Sequence, residues 1–96
     1  MQRHILRIYD SKTGKMVDDY SFTSVYDAIS EGYLTVLEHT YYYFALYPEN
    51  IERGLYSGSR VDIERYRQEH GGFNSERFFR AREQVYRKKF PEVFIT

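Results

Sequence analysis

The chain has 96 residues, of which 42% are hydrophobic and 19% aromatic, and it contains no cysteine. This length supports one small core, built more on tyrosine and phenylalanine than on leucine. The lack of cysteine excludes disulfides, thiolate metal sites and cysteine nucleophiles. Fourteen basic and fourteen acidic side chains balance, so no overall electrostatic field draws the chain to nucleic acid.

The N-terminal segment MQRHILRIYD lacks the apolar stretch of a signal peptide, and no apolar run reaches membrane-spanning length. We therefore expect a soluble, cytoplasmic protein with no membrane partner. The charge is unevenly distributed, because residues 75–96 hold six basic and three acidic side chains.

Residues 3–22, RHILRIYDSKTGKMVDDYSF, have the pattern of a β-hairpin. Two β-prone runs flank the turn, where Gly14 can adopt a left-handed bulge conformation and Asp10 can cap the backbone. A lone hairpin is marginally stable in water. We therefore expect it to pair with a third strand, a covering helix or a second copy of itself.

The next segment predicts a helix that starts with Ser24 and Asp27 in capping-box spacing. Apolar residues recur near one line at about 100° per residue as far as Tyr47, which favours one long helix ending before Pro48. Gly32 weakens the middle of such a helix.

The run TYYYFALY has strong β propensity, so a strand over residues 40–47 is the alternative. In the helical interpretation, Tyr43 and Tyr47 face the core. Tyr42 and Leu46 are then exposed together, which predicts a contact surface.

Two further helices have clear boundaries. Ser59 is the expected N-cap of the first, which Gly71 or Gly72 terminates. Asn74 is the expected N-cap of the second, which ends before Pro91.

The tail EVFIT, residues 92–96, is predicted to be a short strand that joins the sheet. The whole pattern predicts a single α+β domain, residues 1–96. Its order is an N-terminal β-hairpin, three helices and a possible short C-terminal strand.

The last predicted helix has a basic face beside aromatic residues, which is what a helix that contacts phosphates needs. The basic residues are Arg77, Arg80, Arg87 and Lys88. A solvated face of an amphipathic helix explains the same pattern. Arg82 and Lys89 lie inside the apolar arc instead. Each can reach the rim of the core, pair with an acidic residue, or belong to an interface.

The segment LYSGSRVDIERYRQEH, residues 55–70, resembles the second half of the GIY-YIG nuclease motif. In that family a Tyr-x-Gly turn precedes a helix with a catalytic arginine. The resemblance implies that Tyr56 and Gly58 form the turn, that Arg65 is the helix arginine, and that YYYFALYP is the preceding strand. It covers at most a third of the chain. The first glycine of the opening motif and the region of the metal-binding glutamate are missing, and Ser57 replaces the usual apolar residue.

Ser57, Ser59 and Arg60 stand at a helix start, where free N–H groups, hydroxyls and the helix dipole favour an anion. Ordinary helix capping explains the same residues.

The three histidines lack the spacing of metal ligands, so we expect no metal. Neither a nucleophile elbow, a P-loop nor a dinucleotide-binding fingerprint occurs in the sequence. We therefore expect no catalytic residue and no cofactor.

The preferred hypothesis is a small non-catalytic interaction module of the accessory or inhibitor type. It would bind a protein partner, or itself as a homodimer, through a tyrosine-rich surface. The predicted interface residues are Tyr42, Leu46, Arg82 and Lys89. The alternatives are nucleic-acid binding by the basic helix and a reduced GIY-YIG-like nuclease.

Overall fold

The computed structural model describes residues 1–51 and 53–94. The elements in chain order are β1 (His4–Asp10), β2 (Met16–Phe22), α1 (Val25–Glu38), β3 (Tyr42–Pro48), β4 (Tyr56–Gly58), α2 (Arg60–His70), α3 (Ser75–Lys89) and α4 (Pro91–Phe94). The predicted α+β class is confirmed. No helix in the described part of the chain has both the length and the apolar character needed to cross a membrane.

The strands form one antiparallel sheet in the order β2-β1-β3-β4. The predicted hairpin is confirmed as β1 and β2. Gly14 has a φ of 72°, and the Asp10 carboxylate accepts a hydrogen bond from the Lys12 N–H at 2.8 Å. The hairpin finds its third strand in β3, which pairs along the whole of β1.

The segment predicted as one long helix is divided into a helix and a strand. Helix α1 has Ser24 as its N-cap, as predicted, but it ends at Glu38. The strand alternative is correct for the rest, because β3 occupies residues 42–48. The aromatic run pairs with β1, so its β propensity prevails over the helical periodicity.

The hydrophobic core lies between the helices and one face of the sheet. Buried core residues of the sheet are Leu6, Ile8, Phe44, Leu46, Tyr47 and Tyr56, and those of the helices include Ile29, Tyr33, Val36, Ile63, Phe78 and Tyr86. Tyr47 alternates with Phe44 and Leu46 and so lies on the opposite face of the sheet. Phe44 lies against two glycines: a methyl group on Gly58 would overlap its ring, and one on Gly32 would lie 2.8 Å from it. Gly32 therefore lets α1 approach the sheet closely, despite its low helix propensity.

The predicted ends of α2 and α3 are confirmed. Ser59 and Asp62 form a capping box, and α2 stops at Gly71, whose φ is 67°. The Asn74 side chain accepts a hydrogen bond from the Arg77 N–H at 3.0 Å.

The predicted C-terminal strand is wrong for residues 92–94, which belong to α4. There the Phe94 ring stacks on His4, with 5.8 Å between the centroids, and meets Tyr86 edge-on. The helical turn therefore places an apolar side chain on the core. The rest of the predicted strand, residues 95–96, lies outside the described residues.

Candidate functional site: the open face of the sheet

The sheet has one face that no described helix covers. Alternate residues of a strand point to opposite faces, and the helices pack on the face that carries Leu6 and Phe44. The other face is called the open face here. Its residues are Ile5, Arg7, Tyr9, Asp19, Ser21, Tyr43, Ala45, Tyr47 and Ser57. Ala45 and Tyr47 are only 8% and 3% exposed, so the accessible part of this face lies around the other side chains.

Aromatic rings form a layer on the two central strands of the open face. Tyr9 and Tyr43 stack with their centroids 5.2 Å apart and their planes at 16°. Beside them the Arg7 guanidinium lies over the Tyr47 ring, 5.3 Å from its centroid. Tyr9 and Tyr43 are only half-buried, so each ring presents apolar area to solvent. Tyrosine and arginine are the residue types enriched in protein interfaces.

The charges of the open face cancel, because its one basic residue lies opposite its one acidic residue. Arg7 faces Asp19 in the register of β1 and β2. The neighbouring Tyr9 and Tyr47 side chains raise the pKa of Arg7, so the guanidinium stays charged. Its Nε is buried and has no hydrogen-bond partner among the described residues. The open face thus contains an incompletely satisfied donor within a nearly neutral aromatic layer.

Strand β2 forms a solvated rim beside the open face, with residues 16–21 all exposed. Its large exposed apolar side chains are Met16, Val17 and Tyr20. Two carboxylates, Asp18 and Asp19, occupy the middle of this edge strand. Antiparallel pairing of β2 with a second β2 about its centre would bring Asp19 opposite its own copy, which like-charge repulsion disfavours. Docking across the face is therefore favoured over strand addition at this edge.

The four residues predicted as an interface do not form one surface. Tyr42 is half-buried and stacks on His39, with 4.5 Å between the centroids. Leu46 is fully buried, so its predicted exposure is wrong. Both lie on the helix-covered side of β3, because side chains alternate along a strand. Lys89 is exposed at the end of α3, whereas Arg82 is half-buried.

Arg82 ends a chain of buried hydroxyl groups rather than pairing with an acidic residue. Its Nε donates to the Tyr56 hydroxyl at 2.5 Å, and this hydroxyl lies 2.6 Å from that of Tyr33. Tyr33 in turn donates to Asp62 Oδ2 at 2.6 Å. Burial raises the pKa of both tyrosines, so both hydroxyls stay protonated. These four residues come from four different elements, which is why sequence reasoning missed the chain.

A buried carboxylate neutralises part of the basic face of α3. Glu83 is 6% exposed, and it pairs with Arg87 at 2.8 Å and with Arg80 at 3.5 Å. The Arg80 guanidinium also lies over the Tyr26 ring, 4.3 Å from its centroid. Arg77 and Lys88 are exposed.

The residues of the GIY-YIG resemblance are separated by burial. The implied preceding strand is present as β3, and Tyr56 and Gly58 lie on β4. Tyr56 is 3% exposed, however, whereas Arg65 is exposed on α2. Within residues 1–51 and 53–94, no three His, Asp or Glu side chains are grouped closely enough to hold a metal ion.

The residues predicted as a weak anion site have partners inside the chain. The Ser59 hydroxyl and the Ser59 N–H are both used in the capping box with Asp62. Arg60 donates to the Thr40 hydroxyl at 3.1 Å. Ser57 is exposed on β4 and belongs to the open face. The carboxylate of Asp62 thus takes the place at this helix start that an external anion would occupy.

One half of the open face has a signal in the sequence. Ile5, Arg7 and Tyr9 alternate with the core residues of β1, which is the pattern of a strand with one buried face. The other half, on β3, is hidden by the helical interpretation of residues 42–47.

Comparison of the chain with protein-family models, curated proteins and solved structures finds no match. The function is therefore inferred from the geometry of the open face.

Proposed function

We propose that this protein is a non-catalytic, cytoplasmic interaction module that docks onto a protein partner through its open face. The observation that supports this proposal is the stacked tyrosine layer on a sheet face that no described helix covers. Covering this layer removes aromatic surface from water, which is the main favourable term in protein association.

The size of the open face indicates how far the partner extends. With strands about 4.8 Å apart and about 3.3 Å per residue, the face measures roughly 400 Å². A standard interface covers about 800 Å² on each partner. The partner therefore also covers the rim formed by β2, where Met16, Val17 and Tyr20 are exposed.

A protein partner suits this surface better than a polyanion does. Nucleic-acid surfaces are recognised through several basic residues that neutralise phosphates. The open face has only Arg7, and Asp19 faces it. Interface cores in proteins are instead poor in charge and rich in tyrosine.

Site-specific photo-crosslinking in the native cells tests the proposal. A photoreactive residue replaces Ser57, which is exposed on the open face. In the control it replaces Val61, which is 59% exposed on α2. We expect one discrete protein adduct from position 57 and none of that size from position 61. Adducts of equal yield at both positions, or none at position 57, would refute the proposal.

Sedimentation velocity on the purified chain decides whether the partner is a second copy. If it is, the wild type sediments as a dimer and the Tyr43→Ser variant as a monomer. If the wild type is a monomer, the adduct at position 57 contains a different protein.

Nucleic-acid binding is the second candidate, because Arg77 and Lys88 are exposed and basic at the two ends of α3. It predicts binding of labelled DNA or RNA that weakens steeply with salt and on replacing Arg77 and Lys88 by glutamine. The nuclease hypothesis requires metal-dependent cleavage of DNA. It is less favoured, because the Tyr56 hydroxyl is buried and already engaged.

A further inference from the structure

A cavity of about 210 Å³ lies between α2 and α3, away from the open face. Its apolar wall includes Tyr66, Phe78 and Val85, and its charged groups include Asp62, Arg65 and Arg82. Drug-sized ligands occupy sites of about 300–1,000 Å³, so this cavity suits a smaller molecule. It combines an apolar wall with a few converging charges, which is the usual character of a ligand site.

Arg82 is held in this cavity by a hydrogen-bond chain whose direction is fixed. A guanidinium only donates hydrogen bonds, and an ionised carboxylate only accepts them. Arg82 Nε therefore donates to Tyr56, Tyr56 donates to Tyr33, and Tyr33 donates to Asp62. The chain fixes the guanidinium in place before any ligand arrives, which reduces the entropy lost on binding.

The hydrogen-bond chain engages only one of the three guanidinium nitrogens of Arg82, the Nε atom. The two Nη atoms of Arg82 have no hydrogen-bond partner in residues 1–51 and 53–94, yet neither is sealed from solvent. No acidic residue of the described chain forms an ion pair with Arg82. A half-buried cation whose terminal donors are free and accessible is the group that a carboxylate recognises through paired hydrogen bonds.

The remaining charges of the lining limit the charge of the ligand. Arg65 adds a second positive charge, while Asp62 and Glu69 add two negative ones. A ligand with several negative charges meets repulsion from these carboxylates, whereas one with a single charge can place that charge on Arg82, away from both carboxylates. We propose that the cavity binds a small organic monocarboxylate, with its carboxylate on the Nη atoms of Arg82 and its apolar body against Phe78 and Val85. This site is independent of the proposed function.

Amide chemical shifts of the full-length protein, followed during titration, test the proposal. Benzoate is the probe, benzyl alcohol its uncharged counterpart, and inorganic phosphate the competing anion. We expect saturable shifts with benzoate, at concentrations up to about 10 mM, for amides around Tyr66, Ala81 and Val85. Benzyl alcohol and phosphate should leave these amides unchanged.

Variants distinguish binding at Arg82 from binding elsewhere. Arg82→Gln should weaken benzoate at least about tenfold, because the paired hydrogen bonds are lost. Arg67→Gln is the control, since Arg67 is exposed on α2 and does not line the cavity. If Arg82→Gln does not fold, Val85→Trp serves instead. Val85 is 44% exposed, and the indole would fill the cavity and abolish the shifts.

The proposal is overturned if wild-type amides at the cavity show no saturable shift with benzoate. It is also overturned if benzyl alcohol shifts them equally, because the charge is then not recognised. Shifts with phosphate but not with benzoate would contradict the carboxylate assignment. Retained affinity in the folded Arg82→Gln or Val85→Trp variant would contradict the position.

Discussion

The two faces of the sheet use the same residue type in different ways. On the helix-covered face, the hydroxyls of Tyr33 and Tyr56 are hydrogen-bonded to each other inside the core. On the open face, Tyr9 and Tyr43 stack on each other and remain half exposed. Tyrosine content alone therefore indicates neither a core nor a surface. The position of each ring relative to the helices decides whether it stabilises the fold or is available to a partner.

A substitution in the helix-covered face should change the stability most, because side chains are tightly packed there. A methyl group at Gly58 would overlap the Phe44 ring, and Gly32 also lies against that ring. We expect Gly58→Ala to lower the free energy of unfolding by about 3 kcal/mol, the upper end of the usual cost of overpacking a core. Urea denaturation measures this change. Gly72→Ala is the control, since a methyl there meets nothing within 4 Å; equal stability of both variants would show that the core tolerates the overlap.

The next prediction concerns the pH dependence of stability that the buried His4 causes. His4 is 2% exposed and hydrogen-bonded to the Tyr86 hydroxyl at 2.8 Å. Burial, together with the nearby charge of Arg87, lowers its pKa from 6.5 to about 4. Between these two values the unfolded chain takes up a proton that the native chain does not, so stability falls as the pH drops from 6.5 to 4. The expected loss is up to about 3 kcal/mol.

Urea denaturation at pH 7, 5.5 and 4 measures the contribution of His4. Replacing His4 by Gln should flatten the part of the pH dependence between 6.5 and 4. The matched control replaces His70, which is exposed on α2, by Gln. An unaltered pH dependence in the His4→Gln variant would refute this assignment.

A smaller change in stability is expected when a single tyrosine hydroxyl is removed, and it should differ between the buried Tyr33 and Tyr43 on the open face. Tyr33→Phe leaves the Tyr56 hydroxyl without its acceptor and removes one donor to Asp62, which still accepts from the Ser59 N–H. We expect it to cost about 1–3 kcal/mol, the usual penalty for unsatisfied buried polar groups. Tyr43→Phe on the open face should change stability by less than about 0.5 kcal/mol. Thermal or urea unfolding of the pair checks this, and equal losses would remove the distinction between the faces.

Local signals in the sequence were sufficient for much of the fold. The turn at Gly14 and the N-caps Ser24, Ser59 and Asn74 were all predicted, because each depends on residues close together in the chain. The fold class followed from these boundaries.

Contacts between residues far apart in the sequence determine the features that local patterns could not predict. Residues 42–47 fit a period of 3.6 as well as a period of 2, and pairing with β1 selects the strand. From the sequence alone, Gly32 only weakens a helix, whereas in the structure it makes room for the Phe44 ring. Arg82 has no evident partner in the sequence, because the hydroxyl that it contacts belongs to Tyr56, 26 residues away. The candidate site depends on the same pairing, so only its β1 half was accessible to sequence reasoning.

The most direct test of the open face measures stability and binding on one variant. Tyr43→Ser is combined with the photoreactive residue at position 57. We predict that the partner adduct disappears while the free energy of unfolding changes by only about 1 kcal/mol, the value of a lost aromatic pair. An adduct that persists at full yield would contradict the proposed docking surface. Loss of the folded state would contradict it as well, because Tyr43 would then belong to the core.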